Sequence, residues 1–181
     1  MITFQEITDI VTSQFPEYAI SPDTKNLQPA LIVPAQGIAA ICRFLHEDER
    51  CYFDYLACIT AIDHGVAADT MELIYNLTSI PYGSDLALKT VFARNTAEGT
   101  LPSVPTVSHI WRTADWHERE AFDLMGITFD GHPDLRRILL PEDWEGHPLR
   151  KDYNAQERYH GIYVRYEDGK VLEPSSDPDR V

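Results

Sequence analysis

The sequence predicts an α+β fold of two layers, an antiparallel or mixed sheet covered by helices, with an extended carboxy-terminal tail. Three observations carry this. Helical apolar stripes appear near the amino terminus and again after Pro34; the middle of the chain consists of short β-rich runs separated by turn residues; and the carboxy-terminal stretch is too rich in proline and glycine for regular structure. A length of 181 residues suits one main core, and the composition divides it into a compact α+β domain over 1–126 and an extended segment over 127–181.

Thr3 and Glu6 have capping-box spacing, and Phe4, Ile7, Val11 and Phe15 follow on a helical stripe that Pro16 stops. After a short stretch around Tyr18 to Ile20, the apolar run Ala30 to Val33 reads as a strand. Pro34 suits the first position of a second helix, where its missing N–H has no partner to lose, and Ile38, Ile41, Cys42 and Leu45 recur on one face of that helix. Tyr55 to Ile62, Met71 to Thr78 and Leu86 to Phe92 are β-rich. In the second run Met71, Leu73, Tyr75 and Leu77 alternate with Glu72 and Asn76, the period of a strand with one wet face. Asp63-His64-Gly65 and Pro81-Tyr82-Gly83 carry turn chemistry between the runs, which predicts an antiparallel meander.

Beyond a loop marked by Pro102 and Pro105, Thr106 to Trp111 and Asp115 to Met125 read as helices, with Gly126 ending the second. From Ile127 onward Pro133, Pro141 and Pro148 interrupt regular structure. The same stretch keeps Leu135, Ile138, Leu139, Leu140 and Trp144, too apolar for a solvated linker, so it needs a surface to pack on. Ile162 to Leu172, with Asp168-Gly169 in its middle, predicts a small hairpin, and Glu173 to Val181 has a composition that does not order alone.

Fifteen Lys+Arg against 29 Asp+Glu give a formal charge of -14, which repels a phosphate backbone and an anionic lipid surface alike. No apolar run approaches the roughly 20 residues needed to span a bilayer. Met1 to Phe15 carries Glu6 and Asp9 without a basic cluster, so it does not read as a secretory or transit peptide, and the expected location is cytosolic. Cys42, Cys51 and Cys58 lack a C-x-x-C pair and are expected to be small buried residues without chemistry.

Charge, histidine, tryptophan and arginine concentrate between Trp116 and Tyr153. On a helix over Trp116 to Met125, Ala121, Phe122, Leu124 and Met125 form a broad apolar face, and Glu118 falls inside that arc. A carboxylate there costs several kcal/mol to desolvate unless it is paired. Arg136, Arg137 and Arg150 lie downstream on a chain able to fold back, so one of them is expected to pair with Glu118, and its replacement by Ala to cost about 3 to 5 kcal/mol. Arg119, Glu120 and Asp123 fall on the opposite face, which is either an ordinary solvated surface or a partner's docking face.

Glu118-Arg119-Glu120, Asp123-Leu124-Met125, His132-Pro133 and Leu135-Arg136-Arg137-Ile138-Leu139, followed by Trp144-Glu145-Gly146-His147-Pro148-Leu149-Arg150-Lys151-Asp152-Tyr153, resemble the signature of the C subunit of bacterial NADH:quinone oxidoreductase, the 30 kDa subunit family of respiratory complex I. The likeness runs unbroken through both halves. It implies a non-catalytic subunit of the hydrophilic arm of a proton-translocating complex, inactive alone and without a catalytic, cofactor or metal site of its own. NADH, FMN, iron–sulfur clusters and quinone are then expected in partner subunits. It further implies a place beside the D subunit, which helps form the quinone site, with the B and I subunits as neighbours. The chain is then peripheral on the cytoplasmic side of the inner membrane, its carboxy-terminal segment lying across that quinone-site neighbour. The residues that the resemblance marks as interface or structural signature are Glu118, Arg119, Glu120, Asp123, His132, Pro133, Arg136, Arg137, Trp144, His147, Pro148, Arg150, Lys151, Asp152 and Tyr153. An equivalent subunit of a related membrane-bound hydrogenase is the nearest alternative.

A different class is a free-standing metal-dependent hydrolase using His132 and His147. It has no H-E-x-x-H spacing in its favour, and Glu118 and Glu120 point to different sides of their helix, a poor arrangement for paired acid–base work.

Overall fold

The structure, a computed structural model, describes residues 2–25, 28–95 and 100–164. The first stripe folds as α1 (Phe4–Gln14), started by the reciprocal cap that the spacing predicts: the Glu6 N–H donates to Thr3 Oγ1 (3.3 Å) and the Thr3 N–H to Glu6 Oε2 (2.8 Å). Ile7 and Val11 on this helix are buried. Two short strands follow, β1 (Ser21–Asp23), which the sequence did not announce, and β2 (Ala30–Ile32), antiparallel to it.

Pro34 lies one step earlier than expected. The Val33 N–H donates to the Lys89 carbonyl (2.8 Å), which continues the sheet pairing and keeps Pro34 extended (ψ 144°); a single 3-10 turn, Ala35–Gly37, then leads into α2 (Ile38–Glu47). On α2 the predicted face of Ile38, Ile41, Cys42 and Leu45 is fully buried. Burial of each large side chain on it contributes roughly 1.5 to 3 kcal/mol.

The three β-rich runs form the predicted meander: β3 (Tyr55–Asp63), β4 (Thr70–Ser79) and β5 (Ser84–Ala93). Alternation on β4 is strict, with Met71, Leu73, Tyr75 and Leu77 all buried. The sheet is mixed because β2 pairs parallel to β5, Leu31 opposite Leu88, giving the order β1-β2-β5-β4-β3. The buried face of this sheet, with α1 and α2 packed on it, is the core. Like β1, β3 is an edge strand of the sheet. α3 (Thr113–Met125) packs against it, and Thr113 Oγ1 donates to the Leu56 carbonyl (3.2 Å), which protects that edge from pairing with a foreign strand.

Thr106 to Trp111 is not a helix. β6 (Ser103–Pro105) pairs parallel with β7 (Thr128–Asp130), and the chain after β6 makes one turn, held by Ile110 and Trp111 N–H groups on the Val107 carbonyl. The Thr106 hydroxyl accepts the Ser108 N–H (3.1 Å), one of the local side-chain bonds that compete with helix formation. Ile127 and Phe129, just after α3, are buried in the core. Near the carboxy end β8 (Arg158–Tyr159) and β9 (Ile162–Tyr163) form a small hairpin around His160-Gly161. The hairpin expected about Asp168-Gly169 and the tail Glu173 to Val181 lie outside the described residues.

Candidate functional site: a latch on the third helix

α3 is buried on two sides. Ala114, Glu118, Ala121 and Met125 are buried toward the core, while Arg119 and Asp123 lie beneath the chain that returns from β7. Each charged residue of the Trp116–Tyr153 stretch that is buried has a specific internal task.

Asp123 is fully buried. Its Oδ2 accepts three successive N–H groups, from Ile138 (3.1 Å), Leu139 (2.8 Å) and Leu140 (2.9 Å), and its Oδ1 accepts Arg137 Nη1 (2.7 Å). Burial raises the Asp123 carboxyl, but the Leu140 N–H, the Arg137 guanidinium and the two remaining N–H groups outweigh it and hold the pKa below the usual carboxylate range. Arg137 also donates from Nη2 to the carbonyls of Trp144 (2.8 Å) and Gly146 (3.1 Å). Arg119 donates to the carbonyls of Arg136 (3.2 Å) and Arg137 (3.3 Å), so the same segment is gripped from both sides.

The end of α3 is sealed by residues 147–150. The last carbonyls of a helix have no intrahelical partner and carry its negative dipole end. Here the Asp123 carbonyl accepts from Arg137 Nη1 (3.2 Å) and lies 3.0 Å from His147 Nδ1; Leu124 O accepts the Leu149 N–H (3.0 Å), Met125 O accepts Arg150 Nε (2.8 Å), and Gly126 O accepts Arg150 Nη2 (3.2 Å). Gly126 ends the helix in the left-handed region (φ 66°), and a Cβ there would meet His147 Cδ2 at 2.5 Å, so this close approach requires glycine.

A second anchorage holds the next residues. Asp63, at the end of β3, accepts Arg94 Nε (2.9 Å) and Nη2 (3.2 Å), the Gly65 N–H (2.9 Å) and the Lys151 N–H (2.8 Å). Arg94 Nη2 also donates to Asp152. Burial raises Asp63, but Arg94 and the two N–H donors prevail and its pKa is lowered; Arg94 likewise lowers Asp152. Asp63 and Arg94 were not singled out in the sequence. Their one local signal is that each follows a β-rich run, Asp63 in the turn Asp63-His64-Gly65, and nothing in the sequence near either points to residues 151 and 152. Trp144 Nε1 donates to the Tyr153 hydroxyl (3.1 Å), and half-buried Pro148 completes the loop, while Pro133 is exposed.

Glu118 is paired with none of Arg136, Arg137 and Arg150, contrary to expectation. Arg137 serves Asp123, Arg150 caps the helix, and Arg136 is exposed on a surface pair with Asp134 (2.8 Å). Glu118, fully buried, instead accepts the Val107 N–H (2.7 Å) and the Thr106 hydroxyl, so it fastens the turn after β6 to the helix. Burial pushes its carboxyl up to about 7, with Asp115 adding to the rise, against the lowering pull of Thr106 and Val107. His132, its side chain fully buried, accepts the Asp134 N–H at Nδ1 (3.1 Å), which leaves a proton on Nε2, facing Asp115 Oδ1 (3.5 Å) and Glu118 Oε2 (3.8 Å).

The raised value has a testable consequence. A carboxyl whose folded pKa lies above its ordinary 4.5 binds its proton more tightly when folded, so stability is full below 4.5 and declines until pH passes about 7. The decline attributable to Glu118 is on the order of 3 kcal/mol. Asp63, Asp123 and Asp152 act with the opposite sign, their contribution being lost only at acid pH below their ordinary 3.8. In Glu118→Gln, urea denaturation between about pH 5 and 7.5 is expected to show a flattened profile, with the variant more stable than wild type at about pH 8. A variant that keeps the wild-type slope contradicts the assignment.

His132 and His147 do not meet: one lies by the first turn of α3, at the Asp115 carbonyl, the other by the last, at the Asp123 carbonyl. Among the described residues no three His, Cys, Asp or Glu side chains gather in an arrangement able to hold a metal ion. Glu118 is buried and Glu120 exposed, so these two carboxylates do not face one another.

The fold and this cluster define an α+β module whose buried charged residues fasten its own carboxy-terminal segment across one helix. Residues 31–159 match the family described as respiratory-chain NADH dehydrogenase, 30 Kd subunit. The chain is 42% identical over 158 residues to the NADH-quinone oxidoreductase C subunit of Chloroherpeton thalassium, covering 87% of this chain and 63% of that one. It is 39% identical over 160 residues to the C subunit of the same name from Chlorobium phaeobacteroides, covering 87% and 93%. In fold it is similar to a chain of the membrane-bound sulfane sulfur reductase, an archaeal respiratory membrane complex (TM-score 0.69, 24% identity, 92% of this chain and 96% of that one). The chain belongs to the respiratory-chain NADH dehydrogenase 30 kDa subunit family.

Proposed function

We propose that this chain is a non-catalytic, hydrophilic-arm subunit of a proton-translocating NADH:quinone oxidoreductase, seated beside the quinone-site D subunit and near the B and I subunits, on the cytoplasmic side of the inner membrane. The observation that carries the reading is the family match over residues 31–159, which takes in the whole latch. The latch supports a structural role: Glu118, Arg119, Asp123, Arg137 and Arg150 are engaged with neighbouring backbone and side chains of the same chain. Among the described residues no helix is long and apolar enough to cross a membrane, which suits a subunit attached through its partners. Electron carriers, NADH, FMN, iron–sulfur clusters and quinone, then belong to the neighbours.

Affinity purification of the tagged chain from native membranes tests this. The expected result is co-elution with the quinone-site subunit and further hydrophilic-arm chains, and NADH:quinone reductase activity in the eluate but not in the isolated chain. Co-eluting hydrogenase subunits in place of NADH-binding ones would select the hydrogenase alternative. Elution of the chain alone, with stoichiometric metal lost on replacing His132 or His147, would overturn the subunit reading in favour of the hydrolase.

A further inference from the structure

Among the described residues, the latch leaves one face of α3 uncovered. Trp116, His117, Glu120 and Leu124 form a stripe at helical spacing, and Trp116 is 64% exposed. On one side of the stripe a cleft of about 230 Å³ is walled by Ile59 to Ala61 of β3 and by Leu149. On the other side a cleft of about 210 Å³ is walled by Ile138 and Leu139. Both clefts are lined by His117 and Glu120, so they flank the same face of the helix and together make a furrowed strip along it. Leu139 and Leu149, 62% and 59% exposed, stand on its two banks. Single exposed leucines are ordinary, but three large apolar side chains around one furrow form a patch of the kind that marks an interaction site.

Two further observations say what fits there. The banks are rigid: the Leu139 N–H is held by the Asp123 carboxylate and the Leu149 N–H by the Leu124 carbonyl, so the latch presents both side chains from fixed backbone, and little ordering entropy is lost on binding. Glu120 is the carboxylate lining both clefts, and among the described residues no Lys or Arg lines either, in a chain of formal charge -14. An exposed carboxylate facing His117 Nδ1 at 4.0 Å, set between apolar side chains on both sides, favours an apolar segment bearing a cation.

We infer that the furrow along α3, between Leu139 and Leu149, is the docking surface for an apolar segment of a neighbouring subunit that carries a Lys or Arg opposite Glu120. This rests on the subunit reading above and deepens it by placing the interface. The test replaces the full chain in its host by tagged Leu139→Asp, Leu149→Asp or Glu120→Lys, with Ile80→Asp, an equally exposed apolar residue in the β4–β5 turn, as the comparison. Recovery of the other subunits is expected to fall about tenfold or more in the three furrow variants and to stay at the wild-type level in Ile80→Asp. Circular dichroism and thermal midpoint of each purified chain are expected to match wild type, which separates lost docking from lost folding. A photo-crosslinking residue at position 139 is expected to capture a peptide of a neighbouring subunit rich in apolar residues and containing Lys or Arg. Wild-type recovery in the furrow variants, or a crosslink to lipid or to a second copy of this chain, overturns the inference. Failure of the wild-type chain itself to recover any other subunit overturns instead the subunit reading.

Discussion

Asp123→Ala is expected to destabilise the chain by about 3 to 5 kcal/mol, because the substitution strands a buried guanidinium and three backbone donors at once. Asp123 is fully buried, and the N–H groups of Ile138, Leu139 and Leu140 converge on one of its oxygens while Arg137 takes the other. Without it Arg137, whose side chain is 15% exposed, retains only carbonyl acceptors among the described residues. Denaturation by urea at neutral pH measures the loss, and hydrogen exchange at residues 138–140 should rise well before the sheet opens. Asp123→Asn keeps an acceptor for the N–H groups but loses the charge opposite Arg137, so it should fall between wild type and Ala. Since the folded pKa of Asp123 is lowered, its contribution is present above the ordinary 3.8 and disappears as acid protonates it. A loss under about 1 kcal/mol for the alanine variant would show that the latch is peripheral to stability.

Arg94→Ala should be comparably severe, about 3 kcal/mol or more, and for a related reason. Asp63 is 3% exposed and, among the described residues, would be left as a buried carboxylate with only the Gly65 and Lys151 N–H groups, while Asp152 would lose the Arg94 guanidinium. The expected signature differs from that of Asp123→Ala: residues 150–153 should become protease-sensitive while 138–140 stay protected. Arg94→Lys supplies a charge but not the fork that reaches two carboxylates, so it should restore stability only in part. Equal protease resistance in wild type and Arg94→Ala would rule out this anchorage.

Much of the fold was legible because it rests on local periodicity. The α1 cap, the buried face of α2 and the three-stranded meander all follow from spacing within single segments. The parallel pairing of β2 with β5 does not, since it joins residues some distance apart by hydrogen bonds that no periodicity records. Thr106 to Trp111 has a helix-like pattern, but Thr106, Ser108 and Glu118 claim the local polar groups first. Within the site, the position of Glu118 in a buried arc was readable from helical geometry, whereas its partners were not. Asp123 looked like a surface residue because a helical wheel assumes one buried side. The apolar-studded, proline-rich chain downstream was the hint that α3 has two, since such a segment must cover something.

Residues 147–152 touch two separate anchor points, the open end of α3 and the Asp63–Arg94 pair beside the sheet. The short span between Arg150 and Asp152 therefore acts as a ruler: one inserted or deleted residue would leave either the guanidinium or the carboxylate out of reach. The interval from His147 to Asp152 is thus set by the distance between two fixed posts.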